Sequence, residues 1–287
     1  MLLPPEERLA KGRILRVRNH ELVFGKQTFI MGVINVTPDS FSQDGLLDTK
    51  QAGSLALEKI KQGAQIIDIG GQSTRPGYEA IDEEKEIDRV IPVIKALREV
   101  SGVIISVDTF SAKVAEQAIM AGADIINSVW GLTDELLALI KGKPVPIVIM
   151  HNKLEANYPK GVVPEVVNCL AEYTEQALAA GLSNEQIILD PGIGFGKTAD
   201  HNLEIISQFA QIVALGFPTL IGTSRKSTIG KLTDQPVDNR VFGTAATVAF
   251  AIANGVDIVR VHDVQEIADV VKVSDALVRN WRPSNWD

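Results

Sequence analysis

Residues 29–45 read Phe29-Ile-Met-Gly-Val-Ile-Asn-Val-Thr-Pro-Asp-Ser-Phe-Ser-Gln-Asp-Gly45. The first six are apolar or glycine and have the length of a buried strand, and a polar amide follows at Asn35. A short apolar run bounded by turn residues is how a strand covered on both faces appears in sequence. Behind it comes a loop with Pro38, Asp39, Asp44 and Gly45. An apolar strand that ends in a polar group recurs along the chain, and that recurrence decides the fold.

Strand-sized runs follow at 65–69, 103–108, 124–127, 146–150, 186–190, 218–222 and 257–262. Segments of helical period separate them, fitting 50–62, 111–121, 133–141, 162–180, 199–214, 239–254 and 264–280. Between the second and third strands, Ile87, Val90, Ile91, Ile94 and Leu97 keep the i, i+3, i+4, i+7, i+10 spacing of one helix face. Gly63, Gly122 and Gly255 stand just before strands, where a helix stop is needed. Eight strand–helix cycles within 287 residues predict a single (β/α)8 TIM barrel over 29–287. Alternation at 13–18 and 21–24, around Asn19-His20, predicts a short N-terminal β-hairpin within an extension, 1–28, packed on that barrel. An open doubly wound sheet is the other arrangement of such cycles, and the absence of an obvious second domain disfavours it.

Composition sets limits on partners. The net charge of −8 argues against a surface that coats nucleic acid. No apolar run approaches the roughly 18 residues that a membrane span needs, and residues 1–11 lack a signal-peptide core. Cys169 is the only cysteine, so no intrachain disulfide can form, and a cytoplasmic protein is expected.

Barrels work at the C-terminal ends of their strands. Here those ends carry Asn35, Asp68, Asp108, Asn127, Met150-His151, Asp190, the loop Gly222-Thr-Ser-Arg-Lys-Ser227, and Arg260 with His262. One strand-end Asp is most simply a helix cap; polar groups at nearly every strand end describe a binding mouth. Asp68, Asp108, Asp190 and Asn127 form an acceptor-rich floor suited to a heterocycle with several N–H donors. Arg225, Lys226, Arg260 and His262 are expected to form an anion cradle, since loops after the last two barrel strands often hold phosphate. Asn35 and Asp39 supply oxygens beside it, a donor set compatible with Mg2+ shared with phosphate. Asp190-Pro-Gly-Ile-Gly-Phe-Gly-Lys-Thr198 misses both the P-loop and the dinucleotide spacing. Its glycines instead allow backbone close to a flat ligand, with Phe195 stacking near it. The four histidines lack zinc spacing, and no Gly-x-Ser-x-Gly elbow is present.

Six motifs stand in order along the chain: Met31-Gly-Val-Ile-Asn-Val-Thr-Pro-Asp-Ser-Phe-Ser42, Asp68-Ile-Gly-Gly-Gln-Ser-Thr-Arg-Pro-Gly77, Ile105-Ser-Val-Asp-Thr109, Leu189-Asp-Pro-Gly-Ile-Gly-Phe-Gly-Lys197, Ser224-Arg-Lys-Ser227 and Arg260-Val-His-Asp-Val264. Together they resemble the dihydropteroate synthase family over residues 29–264. The resemblance implies a transferase that joins p-aminobenzoate to (7,8-dihydropterin-6-yl)methyl diphosphate, with pyrophosphate release. It implies that Asp108, Asn127, Asp190 and Lys226 bind the pterin and that Asn35 holds magnesium. Arg260 and His262 would hold the diphosphate; with Asp108 and Lys226 they form the expected catalytic set. Thr74, Arg75, Pro76, Ser227, Phe41 and Phe195 would surround p-aminobenzoate, a homodimer is implied, and sulfonamide-type inhibitors are expected.

The chain departs from the family pattern at four places: Gln72 for the usual Glu, Ser128 after Asn127, Met150-His-Asn-Lys153, and Ser40-Phe-Ser-Gln-Asp-Gly45. None removes a pterin or diphosphate contact. A folate-dependent corrinoid methyltransferase of the same fold would share the floor but has no need of the cations after the last two strands. A non-catalytic pterin-binding protein is the remaining alternative.

Overall fold

The computed structural model describes residues 14–36, 45–72 and 81–286, without the side chains of 45–48. Strands β1 (Ile14–Val17) and β2 (His20–Val23) form an antiparallel hairpin. Eight parallel strands follow: β3 (Phe29–Asn35), β4 (Ile66–Gly70), β5 (Ile104–Asp108), β6 (Ile125–Ser128), β7 (Ile147–Met150), β8 (Ile187–Asp190), β9 (Leu220–Ile221) and β10 (Ile258–Val261). Their order is β8-β7-β6-β5-β4-β3-β10-β9. A parallel bridge between Leu189 and Thr219 joins β8 to β9 and closes the ring, with Leu189 N donating to Pro218 O at 2.9 Å. The expected barrel is the observed one.

Helices alternate with the strands: α1 (Gly45–Lys61), α2 (Glu83–Val100), α3 (Ala112–Ala121), α4 (Asp134–Ile140), α5 (Val162–Ala179), α6 (Ala199–Ser207), α7 (Ala210–Val213), α8 (Ser227–Thr233), α9 (Val241–Ala253) and α10 (Val264–Val278). Their starts follow side-chain caps where the sequence offers one. Asp82, Ser111 and Thr133 each accept the backbone N–H three residues on, replacing a bond the first turn lacks. The glycine stops behave as their positions predict, with φ of +112°, +114° and +98° at Gly63, Gly122 and Gly255. The segment expected as one helix over 199–214 divides instead into α6 and α7. Gln208 leaves helical geometry at φ −112°, ψ 20°, and Phe209 turns fully into the core. The short helix α8, inside what reads as a loop, has no periodic apolar signal long enough to detect.

Alternation along the strands builds two cores. Outward residues such as Ile67, Ile105, Ile126, Ile149 and Val259 meet the helices. Inward residues Phe29, Met31, Ile66, Ile104, Ile125, Val148, Ile188, Leu220 and Ile258 fill the lower barrel and share one cluster with Leu15, Val17, Leu22 and Phe24 of the hairpin. The hairpin thus seals the N-terminal end of the barrel. Two residues further along β4, β5, β6, β8 and β10 the inward position turns polar, at Asp68, Ser106, Asn127, Asp190 and Arg260, and that change of polarity separates the sealed end from the open one.

Arg18 and Arg98 both pair with Asp124, whose side chain is buried, and this ties the hairpin turn to α2 and the start of β6. At the other terminus, Asp275 accepts from Thr28 N at 2.6 Å, Thr28 Oγ1 at 2.7 Å and Arg279 Nε at 3.0 Å, pinning α10 to the entry of β3.

Phe24 is fully buried and meets Phe29 edge to face at 5.6 Å between centroids. Phe24→Ala should cost about 3–5 kcal/mol, as expected for an aromatic deleted from a packed core. Urea unfolding followed by circular dichroism measures it, and a loss under about 1 kcal/mol would mean that the hairpin does not seal the barrel.

Candidate active site at the barrel mouth

The inward column of β4 reads Ile66, Asp68; that of β5 reads Ile104, Ser106, Asp108; that of β10 reads Ile258, Arg260, His262. Register places these columns side by side around β3, with Asp68 opposite Val33 and Ser106, and Arg260 opposite Met31. Arg260 reaches from β10 across the mouth. Its Nε donates to Asp68 Oδ2 at 2.6 Å and its Nη2 to Asp108 Oδ2 at 2.7 Å. Asn127 Nδ2 donates to the same Asp68 oxygen at 3.1 Å. Asp68, Asp108 and Asn127 are buried, with Arg260 partly so.

This arrangement sets the charges. Burial pushes the Asp108 carboxyl up, Arg260 opposes it and Asp68 adds to it, leaving a pKa of about 7. Burial likewise raises Asp190 to about 6, against the Gly192 N–H and then Lys226 and Arg260. For Arg260, burial works against the charge but Asp68 and Asp108 outweigh it, so the guanidinium is held more firmly charged than usual. His262 is held down to about 3 by burial and then by Arg260 and Arg225, so its imidazole is neutral at pH 7. Its Nδ1 lies 3.1 Å from Ser224 Oγ, which also accepts the His262 backbone N–H at 3.1 Å. Asp68 Oδ1, Asp108 Oδ1 and Ser106 Oγ are buried without a hydrogen-bond partner among the described residues. Unpaired buried acceptors at one floor are what a donor-rich ligand would satisfy.

The loop after β8 forms the next wall. Asp190 Oδ1 accepts from Gly192 N at 2.7 Å, fixing the first turn. A Cβ on Gly192 would lie 2.0 Å from His151 O, and one on Gly196 2.0 Å from Lys153 O, so both positions require glycine. Asn202 on α6 locks the loop from behind, accepting from Gly194 N and donating to Thr228 Oγ1, both at 2.9 Å. The Phe195 ring lies under the Lys226 ammonium, 4.3 Å from centroid to Nζ.

Of the residues expected at the site, Asp108, Asn127, Asp190, Phe195, Lys226, Arg260 and His262 thus meet at one mouth. Asn35 ends β3, half-buried, between β4 and β10. Ser227 opens α8 and is exposed. Thr74, Arg75, Pro76, Asp39 and Phe41 lie outside the described residues. Two expectations change. Arg225 does not stand in an open anion cradle, because its guanidinium pairs with Asp263, through Nε at 3.0 Å, and with Asp238 at 3.4 Å. The acidic and basic halves are also one network, since Arg260 belongs to both. Sequence reasoning passed over Ser224, Asn202 and Lys197, whose partners lie on other strands or helices. Ser128, one of the departures from the family pattern, donates its hydroxyl to Gly131 O at 2.6 Å and serves the turn after β6.

A family model described as pterin binding enzyme matches residues 31–262. A dihydropteroate synthase of Clostridium beijerinckii is 47% identical over 269 residues, covering 92% of this chain and 100% of that one. The chain belongs to the dihydropteroate synthase family. A solved dihydropteroate synthase from Clostridium difficile, in the presence of pteroic acid, superposes with a TM-score of 0.86 at 43% identity, covering 89% of this chain and 98% of that chain. Another from Xanthomonas albilineans, with 4-aminobenzoic acid, gives a TM-score of 0.88 at 36% identity, covering 94% and 99%. Dihydropteroate synthases are transferases, and the match spans every strand end described above except that of the sealing hairpin.

Removing Arg260 tests the charge network. In Arg260→Met the carboxylates of Asp68 and Asp108 lose their shared cation, which should cost about 3–5 kcal/mol at pH 8. Without the arginine the Asp108 carboxyl moves further up, so the folded chain holds more protons than the unfolded one above about pH 4. Stability of the variant should therefore fall as pH rises from 5 to 8 relative to the unsubstituted protein. Chemical denaturation at the two pH values measures this; a pH-independent difference would contradict the network.

Proposed function

We infer that the protein joins p-aminobenzoate to (7,8-dihydropterin-6-yl)methyl diphosphate, releasing pyrophosphate and 7,8-dihydropteroate. The observation that carries the reading is the acceptor floor of Asp68, Asp108, Asn127 and Asp190 meeting Arg260 and His262 in one mouth. The methyltransferase alternative offers no leaving diphosphate for Arg260 and His262 to face.

Pterin would bind on the floor, its N–H groups facing Asp190, Asp108 and Asn127, with Lys226 and the Phe195 ring beside it. The neutral arylamine needs no strong base, because its nitrogen lone pair is already free at pH 7. That nitrogen attacks the methylene carbon as the C–O bond to the diphosphate breaks. The bonding pair leaves with pyrophosphate, and the nitrogen then sheds its proton to water or to the leaving group. Positive charge develops on the pterin methylene and negative charge on the diphosphate. Ionised Asp108 stabilises the first, while Arg260 and neutral His262, whose Nε2 carries the proton when Ser224 Oγ donates to Nδ1, stabilise the second.

Magnesium fits this site through Asn35, whose amide oxygen ends the strand beside β10; Mg2+ commonly takes one or two protein oxygens and completes its shell with phosphate and water. When bound, the ion would supply further charge stabilisation to the leaving diphosphate. Among the described residues no group of three or more His, Cys, Asp and Glu is placed to hold a metal. We assign Phe41, Thr74, Arg75, Pro76 and Ser227 to the p-aminobenzoate side by family, where sulfonamides would compete, and Asp39 to the magnesium beside Asn35.

A homodimer is the assembly we favour. Phe242 (86% exposed) and Phe250 on α9, with Val273 and Leu277 (80%) on the adjoining α10, leave apolar side chains in water on neighbouring helices. Sedimentation should show a dimer that Phe242→Asp dissociates, and a monomeric unsubstituted protein would refute it. No helix of the described residues is long and apolar enough to cross a membrane. With Cys169 the only cysteine, the cytoplasm is the compartment we assign.

Incubation with both substrates and magnesium should yield pyrophosphate and dihydropteroate in equal amounts, and no product would reject the reading. His262→Ala should weaken the pterin diphosphate by about 1.5–3 kcal/mol, the range for a hydrogen bond to a charged group. Its affinity for a pterin without the diphosphate should stay within about twofold, under 0.5 kcal/mol. Equal losses for both would contradict the role of His262.

A further inference from the structure

Lys197, at the end of the β8 loop, has no part in the chemistry above. Its Nζ lies 2.9 Å from His151 Nδ1, 2.9 Å from Phe195 O and 3.4 Å from His151 O. An ammonium has three N–H donors, and each of these three finds an acceptor. His151 is buried, and burial followed by the charge of Lys197 holds its pKa down to about 3. The ring is therefore neutral, with an Nδ1 lone pair facing the lysine and the proton on Nε2.

The geometry around this contact gives it a consequence for the site. Gly192 and Gly196 let the β8 loop lie flush against the carbonyls of His151 and Lys153, and the His151 N–H donates to Asp190 O at 3.0 Å. The carbonyl that Lys197 grips belongs to Phe195, the residue whose ring carries the Lys226 ammonium. Fixing that peptide fixes where the ring lies. We propose that Lys197 is a positioning residue, a staple between the end of β7 and the β8 loop that holds Phe195, and through its ring Lys226, at the pterin floor. The proposal rests on the reading of that floor as the pterin site.

The staple is sensitive to alkali. Lys197 is half-buried, and burial lowers its pKa to about 7. Asp190 and Cys169 oppose the shift; Lys226 and Lys153 add to it, Lys153 itself being paired with Glu165 on α5 at 3.2 Å. As pH rises through neutrality, Lys197 loses its charge and one of its three donors, and the hold on the loop weakens. Falling pH acts on Asp190, near 6, on the acid side. Asp108, near 7, ionises over the same window as Lys197 with the opposite effect on binding, so the alkaline loss is assigned to Lys197 by its variants.

The test is the affinity of the full-length protein for a dihydropterin without the diphosphate, read by ligand fluorescence from pH 5.5 to 9. The unsubstituted protein should lose affinity on the alkaline side. Lys197→Met should bind roughly tenfold more weakly at pH 6.5, about one charge-assisted hydrogen bond, and should lack that alkaline limb. Lys197→Arg, charged throughout the range, should recover most of the affinity and also lack the limb. Binding by Lys197→Met within twofold of the unsubstituted protein, or an alkaline limb unchanged in both variants, overturns the proposal. Should Lys197→Met not fold, a flat alkaline side in the unsubstituted protein overturns it equally. Failure of the unsubstituted protein to bind dihydropterin at any pH would instead reject the functional reading itself.

Discussion

The guanidinium of Arg260, lying between Asp68 and Asp108, is the contact on which the mouth depends. Two buried carboxylates on adjacent strands repel each other and are each costly to ionise away from water. An arginine supplies donors in a fixed fork that can meet both at once, whereas a lysine offers a compact charge. Placing that arginine on β10, with β3 between it and β4, makes the charge balance depend on the β10-β3-β4-β5 order of the sheet. The sealing hairpin and the polar strand ends are connected in the same way: the lower barrel is apolar and shut, so the charges can gather only at the open end.

One residue thereby serves two chemistries. While Arg260 holds Asp68 and Asp108 it opposes the burial that drives the Asp108 carboxyl up, and Asp68 Oδ1, Asp108 Oδ1 and Ser106 Oγ stay without a partner among the described residues. In the proposed reaction the same guanidinium faces the charge that builds on the leaving diphosphate. A substitution at Arg260 therefore cannot be read as the loss of a phosphate contact alone, while His262, neutral and held by Ser224, is a cleaner probe of that contact.

Much of this was legible in the sequence because barrels repeat a simple pattern. Apolar runs located every strand; alternation told which side chains share a face, and the switch from Ile66 to Asp68 or from Ile258 to Arg260 marked the mouth. The roles of the pocket residues came from motif resemblance, which no periodicity supplies. What stayed hidden were choices among partners. Arg225 and Asp263 are 38 positions apart, and nothing local says that they pair and withdraw Arg225 from the cradle. Lys197 reads as the tail of a glycine loop until His151, 46 positions earlier, is brought beside it. Helix α8 and the break at Phe209 were missed because short helices owe their position to tertiary packing more than to propensity.

The central claim is that the floor holds carboxyls with raised pKa values that become fully ionised when a donor-rich heterocycle satisfies them. Calorimetric titration with a dihydropterin lacking the diphosphate, at pH 6.5 in buffers of differing ionisation enthalpy, counts the protons exchanged on binding. With Asp190 near 6 and Asp108 near 7 in the free protein, binding should release protons to the buffer. Binding with no proton release, or with uptake, would contradict the account.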